Sequence, residues 1–562
     1  MRWVKAGSVS LLMFAFAACN SLDDLSDLEV TNNNNPDRAR ALQEAGDIES
    51  VIGAAFVSWH QATQEGYPAS ALSTAADEGT ASWGNFGAQQ LSSEPRVAWP
   101  NSTSFRFARH PQDPWFRGYR TLSSIFDGLQ AIDNDDGSLC AEIDCDRARA
   151  FAKVVQGMQM GFIALMFDSA FIFDETVDLE TDVLTLQPYP NVMAAALSYL
   201  QDGITKSQAG SWSLPASWIL GNPLSASDFA KLAHTHKARL MTQVNRTPAE
   251  RAAVDWATVI ADVNAGITDD FWIDGDGANN WWHSMAWYGA QSGSTTWHRA
   301  DYKSIGWTDT GNDYANWLAT PVGSRQEFDF QAADERIMPP GDPTGKGLDF
   351  QNQGSSRFRP DRGTYHFSRY LAWRYEDYPN TGGQAPEPHA NFNQEQMLKA
   401  EGMARTGDLA GAAALVNTTR VGRGNLPAAT AADANLLDEI HYEYTIEGFY
   451  TCSGCLYFSR RGWGPLAPTG PAHHFGPVEG TPLHFAPPGK ELEILQKLIY
   501  TYGGVGSEGS SLAPAAVSAS VRAGGIPARE IYAFDGMDMR QKLAALQQYR
   551  DTPRNVARMV RH

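Results

Sequence analysis

Charge is scarce in this chain, basic charge most of all, and that scarcity excludes whole classes of function. Charged residues make up 19% of 562, and 44 Lys and Arg face 64 Asp and Glu, a formal net charge of −20. Gripping nucleic acid by neutralising its phosphates needs the opposite balance, so no nucleic-acid partner is expected. After the first twenty residues no apolar run is long enough to cross a bilayer as a helix, which takes about 20 residues. No Pro/Ser/Thr-rich linker divides the chain, so one large body is expected rather than a string of domains. HExxH, GxSxG, the P-loop and a GxGxxG opening a helix are all missing. Strand-like alternation is nowhere convincing up to residue 244. What remains is a mainly α chain without a recognisable catalytic signature.

Cysteine is also rare, with five in all. The first, Cys19, ends the segment MRWVKAGSVSLLMFAFAAC. Arg2 and Lys5 make a short positive region, and the apolar run Val9 to Ala18 is too short for a permanent span. Small Ala17 and Ala18 precede the cysteine, so the segment resembles a bacterial lipobox, with Phe16 where an aliphatic residue is more usual. Residues 1–18 are therefore expected to be a lipoprotein signal peptide, with Cys19 acylated. Residues 19–35 read as an Asn-rich, acidic tether with too little apolar surface to order itself. Asp23 and Asp24 resemble the surface-export signal of Bacteroidota lipoproteins. Two or more acyl chains would anchor the body stably to the outer membrane.

The other four cysteines are Cys140 with Cys145 and Cys452 with Cys455. In an oxidising compartment two local disulfides are the simplest of three connectivities. A redox or zinc role for CSGC lacks a surrounding βαβ pattern and nearby His.

Residues 36–562 read as a single body. Helical spacing marks Ile48–Trp59 with Asp47 as cap, then Trp115–Ile132, Arg147–Phe167, Tyr189–Ile204 and Ala226–Val244. Residues 60–110 lose the period and read as loop, in which Asp77, Glu78, Trp83, Asn85 and Phe86 crowd together. A loop-rich insertion is expected over about 268–390. Seven of the 17 Trp fall between 268 and 320, among them Trp281, Trp282, Trp287 and Trp307, interspersed with Gly, Ser, Asn and Asp. Flat aromatic faces in loops on a rigid scaffold suit sugar rings. Asp77, Trp83, Asn85, Trp281, Trp282, Trp287, Tyr288 and Trp307 are the candidate ligand contacts.

The segment FNQEQMLKAEGMARTGDLAGAAALVNTTRVGRGN reads as a helical hairpin, with Gly407 stopping the first helix and Asp408 capping the second. One such TPR-like pair cannot bury its own face and needs stacked neighbours. This hairpin, the following LLDEIHYEYTIEGFYTCSGCLYFSRRGWGPL (Glu447, Gly448, Arg460, Arg461, Trp463, Gly464, the last four as an Arg-Arg-Trp-Gly turn), and the opening LEVTNNNNP resemble the SusD/RagB-like nutrient-binding lipoproteins. The resemblance implies a TPR-like α/α superhelix with a loop-rich ligand face. It also implies a SusC-like TonB-dependent transporter as partner, oligosaccharide or peptide ligands, and no catalysis. The CSGC insertion and the Trp-rich middle depart from the family pattern.

An enzyme reading starts from Asp77 and Glu78 as a glycosidase-style pair on a surface-anchored hydrolase, but adjacent side chains point different ways on most backbones. His236 shares a helix face with Phe229, Leu232 and Leu240 and reads as a core histidine. DGDG at 274–277 lacks the bidentate Glu of a complete Ca²⁺ loop. No catalytic residue, metal or cofactor is expected.

Overall fold

The computed structural model describes residues 44–80, 87–291, 298–354, 368–466, 475–506 and 525–527. Cys19 and residues 1–35 lie outside them. The architecture is mainly α, and the described strands form only two-stranded antiparallel pairs. No described helix is long and apolar enough to cross a membrane.

The helix predicted over Ile48–Trp59 is two, α1 (Ala45–Gly53) and α2 (Ala55–Thr63), and Asp47 sits inside the first turn with Glu44 before it. The Trp218 indole lies against Gly53 and leaves no room there for a Cβ. The region expected as loop holds α3 (Gly66–Ala75), then β1 (Gly79–Thr80). Helix α3 escapes the period test because it is buried nearly all round: Pro68, Ala69, Ala71, Leu72, Ser73, Thr74 and Ala75 are all inside.

Helix α4 (Arg109–Asp133) starts well before Trp115, with Pro114 inside it. A proline there removes one early hydrogen bond but does not end the helix, so the sequence signal pointed to too late a start. Next come α5 (Cys145–Met166), α6 (Tyr189–Ala209) and α7 (Ala226–Gln243). A Cβ on Gly157 would stand 2.7 Å from the Ala196 carbonyl oxygen, so this glycine sets how closely α5 and α6 approach. Asp144 and Ser225 cap α5 and α7 through their side chains.

Helix α8 (Trp256–Ala265) leads to β3 (Phe271–Ile273), while β2 (Val183–Thr185) lies earlier in the chain. Helix α9 (Ser284–Ala290) and β4 (Arg299–Ala300) follow, then β5 (Glu387–Ala390). Strands β3 and β5 pair antiparallel, Phe271 with Ala390 and Ile273 with Glu387, so the two ends of the loop-rich segment are joined. Strand β6 (Gly525–Pro527) pairs with β2.

The hairpin is α10 (Phe392–Arg405) and α11 (Leu409–Arg420), with Gly407 at φ +96° and the Asp408 carboxylate accepting from the Gly411 N–H at 2.9 Å. Its neighbours are α8 and α12 (Leu436–Glu447). Packing runs from α4 to α5, α6, α7, α8 and then α10, so successive helices stack as one layer builds on the next. The expected Arg-Arg-Trp-Gly turn is instead the last turn of α13 (Cys455–Trp463), with Gly464 at φ +95° beyond it.

Glu439, Glu443 and Glu447 recur every fourth residue on α12 and are all buried. Glu443 accepts from Arg336 at 2.5 Å, and Glu447 from the same guanidinium at 2.8 Å. Asp334 pairs with it at 2.7 Å, and Arg420 reaches Glu439 at 3.5 Å. Burial alone would lower the Arg336 pKa; Glu443 and Asp334 outweigh it and hold it well above the usual range. Truncating Arg336 removes the guanidinium shared by three buried carboxylates, of which Glu447 keeps Arg423. Arg336→Ala is therefore expected to lose about 3–5 kcal/mol in urea unfolding, whereas breaking the exposed Lys231–Asp228 pair with Lys231→Ala costs under about 1 kcal/mol. Equal losses would mean that the buried cluster has no special weight.

Candidate ligand-binding face

Helix α9 is an element that carries half-buried aromatic side chains at its start and along it. Its sequence, SMAWYGA, turns Met285, Ala286, Gly289 and Ala290 inward and leaves Trp287 and Tyr288 half-buried on the other side. Trp282, just before it, meets Tyr288 edge to face at 5.7 Å, and Trp287 meets Tyr378 at 5.9 Å.

The start of α9 is fixed from three directions. His283 Nδ1 accepts from the Ala286 N–H at 3.1 Å, and its Nε2–H donates to the Thr451 carbonyl at 2.9 Å. Those two bonds require the neutral ring, and burial lowers its pKa accordingly. The Ser284 N–H donates to the Gln64 carbonyl at 3.2 Å, and its hydroxyl accepts from the Gly66 N–H at 2.6 Å. The Tyr450 ring packs against both Gly289 of α9 and Gly79 of β1, where neither has room for a Cβ. Tyr450 itself holds φ at +56°, a backbone state costing about 1–2 kcal/mol for a bulky residue, and its N–H is met by Glu78 at 2.9 Å.

The structure separates the predicted contacts. Trp282, just before α9, meets Tyr288 on it, while Trp287 of the same helix meets Tyr378. Trp281 is 4% exposed and packs between Phe56 and His60, inside the core. Trp307 is half-buried elsewhere, against Tyr442 and Phe475. Trp83 and Asn85 lie outside the described residues; their segment leaves β1 at Thr80, which pairs with Arg299 of β4. Trp272 on β3 is the aromatic that sequence reasoning only counted. It is 39% exposed and braced edge-on by Tyr375 at 6.0 Å. The one available signal was its place in Phe-Trp-Ile, where burial alternates.

Asp77 is placed in the interior, 1% exposed. Its carboxylate accepts from Arg96 at 2.6 Å and from Lys303 at 3.0 Å, and Lys303 also reaches Glu94 at 2.9 Å. Burial outweighs the donors around Glu78 and raises its pKa to about 7. Both carboxylates are buried and bonded within the fold. His236 is buried beside His389, its pKa lowered to about 3 by burial. Cysteines pair as Cys140–Cys145 and Cys452–Cys455. In the DGDG stretch, Asp276 accepts from the Asn279 and Asn280 N–H groups, each at 2.8 Å. Among the described residues no three His, Cys, Asp or Glu stand together as metal ligands.

No protein-family model and no curated protein matches the chain. Solved structures similar to it include a SusD superfamily protein from Bacteroides vulgatus, 14% identical, over 80% of this chain and 97% of that one, with a TM-score of 0.47. A SusD-like protein from Bacteroides fragilis is 14% identical over 82% and 97%, with a TM-score of 0.49. A further solved structure, one with a xylogluco-oligosaccharide, is 10% identical over 74% of this chain and 82% of that one, with a TM-score of 0.46.

Because the folded state holds the Glu78 proton up to about pH 7 and the unfolded chain releases it near 4.5, this residue's contribution to stability is lost as pH rises through that window. Glu78→Gln is expected to remove that loss, worth at most about 3 kcal/mol above pH 7, and to leave stability near pH 4 almost unchanged. Urea midpoints of both proteins from pH 4 to 8 check it; parallel curves would place the Glu78 pKa near its ordinary value.

Proposed function

We propose that this chain is a SusD-like, lipid-anchored surface protein that captures oligosaccharide on the aromatic face of α9 and passes it to a SusC-like TonB-dependent transporter. The observation that carries the reading is that Trp282, Trp287 and Tyr288 are half-buried at and on a helix whose start is fixed by hydrogen bonds to Gln64, Gly66 and the Thr451 carbonyl. A sugar ring offers such a face its C–H side and keeps its hydroxyls for neighbouring amides and carboxylates. The order of family-like motifs along the sequence supports the same assignment, as does the lipobox-like Cys19 for the outer-membrane anchor. Peptide is the second ligand class that the resemblance admits. In this reading the protein is not an enzyme: binding and hand-over are its whole task, without cofactor.

The test is a screen of the purified full chain against glycan and peptide arrays, with intact-mass readout of each ligand. Glycan binding at unchanged ligand mass is the expected result, and Trp287→Ala should weaken it about tenfold, or about 1.4 kcal/mol. Cleaved ligand would replace the capture reading with a surface hydrolase. Binding unaffected by changes at Trp282, Trp287 and Tyr288 would move the site elsewhere on the molecule.

A further inference from the structure

The CSGC stretch departs from the family pattern, and the reading of α9 as a ligand face leaves it without a part. It belongs to the connector GFYTCSG, residues 448–454, which runs between α12 and α13 and is buried throughout. Tyr450 at φ +56° and Gly454 at φ +78° both hold left-handed backbone there. A tyrosine does not choose that state, so contacts outside the residue impose the connector's path. The Cys452–Cys455 disulfide is one of them, and it ties the connector to the first residue of α13. Helix α13 is a firm support. It is buried along its length, and Arg461 donates to the Leu165 and Gln243 carbonyls, each at 2.9 Å.

The connector's other contacts converge on α9. The Tyr450 ring fills the space beside Gly289. The Thr451 carbonyl accepts from His283 Nε2–H at 2.9 Å, and Nδ1 of the same ring caps α9 at the Ala286 N–H. The Ser453 N–H donates to the Gln64 side chain at 2.9 Å, and the Gln64 main-chain carbonyl meets the Ser284 N–H at 3.2 Å. Residues 450, 451 and 453 thus reach α9 directly or through one neighbour, and Cys452 sits among them. Hydrogen bonds weaken steeply as they bend, so turning the Thr451 carbonyl away would release His283 and with it the cap. A helix of seven residues has no length of its own to fall back on.

We propose that Cys452 and Cys455 are positioning residues for α9: their bond fixes the connector path that caps the helix and packs against it. The consequence for ligand capture rests on the reading of α9 as the binding face; the positioning itself does not. The second bridge, Cys140–Cys145, supplies the control. It closes a short loop at the head of α5, folded round Asp135, which accepts from the Cys140 N–H at 3.1 Å.

Hydrogen exchange of the full chain without ligand tests the proposal, on Cys452→Ser/Cys455→Ser and Cys452→Ala/Cys455→Ala beside the unaltered protein and Cys140→Ser/Cys145→Ser. Amides of residues 284–290 are expected to exchange at least about tenfold faster in both Cys452/Cys455 variants, with α5 and α6 unchanged. The Cys140/Cys145 variant should leave residues 284–290 as they were. Unchanged exchange over 284–290 in the Cys452/Cys455 variants would overturn the proposal. Faster exchange spread through α5 and α6, or no folded protein from either pair, would make the bridge a brace of the whole fold and overturn it too. Faster exchange confined to α9, in a protein whose unaltered form binds no glycan, would uphold the positioning and remove the capture reading.

Discussion

Carboxylates buried on one helix set the terms for the rest of this structure. Glu439, Glu443 and Glu447 lie on α12 four residues apart, so they share a face, and that face is inside. A charge taken from water costs several kcal/mol unless it is paired and hydrogen-bonded in good geometry. The partners come from distant stretches: Arg420 and Arg423 at the end of the hairpin, and Arg336 within the loop-rich segment, while Arg374 donates to the Glu447 main-chain carbonyl. Apolar contacts alone would tolerate some sliding of that segment over the helices. A guanidinium shared among Asp334, Glu443 and Glu447 does not, because any shift strands a charge. The same device recurs one layer away, where Glu395 and Glu401 of α10 meet Arg239 and Arg251 of and beside the α7 end.

This pinning is what makes an irregular segment a usable surface. The stretch between β3 and β5 is joined at its base by their pairing and anchored further along by Arg336 and Arg374. Within it α9 is short, and seven residues would not hold a helix in isolation. It persists because His283 caps it, Gln64 and Gly66 bond its first residue, and the Tyr450 ring fills the space beside Gly289. Aromatic groups on such a support are held by the fold, so the binding proposed above would lose little ordering entropy.

Much of the helical scaffold was legible in the sequence, because α5, α6, α7, α10 and α11 each bury one stripe at helical spacing. The stop at Gly407 and the cap at Asp408 were legible too, since each rests on local chemistry. Elements without a periodic signal were not: α3 is buried nearly all round, and Pro114 hid the true start of α4. Exposure of the tryptophans was the least readable feature. Trp281 is 4% exposed and Trp272 39%, though only eight residues separate them in the same kind of polar, glycine-containing sequence. Where an indole points there depends on the path of the backbone, which long-range pairs such as β3 with β5 decide. The residues that carry the family resemblance have a structural part. Arg461 donates to the carbonyls of Leu165, Leu483 and Gln243, closing the C-terminal ends of α5 and α7, and Trp463 stacks on His441 at 4.1 Å.

The distribution of charge then bears on which ligands the proposed face would accept. An acid or base that works on a substrate must reach the reacting atom. Asp77 and Glu78 are 1% and 3% exposed and are spent on Arg96, Lys303 and the Tyr450 N–H, so they stabilise the interior beneath the face. In the proposed reading, recognition would fall to indole and phenol rings. Across the whole chain the formal charge is −20, and at physiological ionic strength its field extends about 8 Å from the surface. An anionic ligand would approach against that field and find its likeliest counter-charges already paired inside the fold. A neutral ligand would meet no such opposition, so the proposed face would suit neutral glycans better than acidic ones.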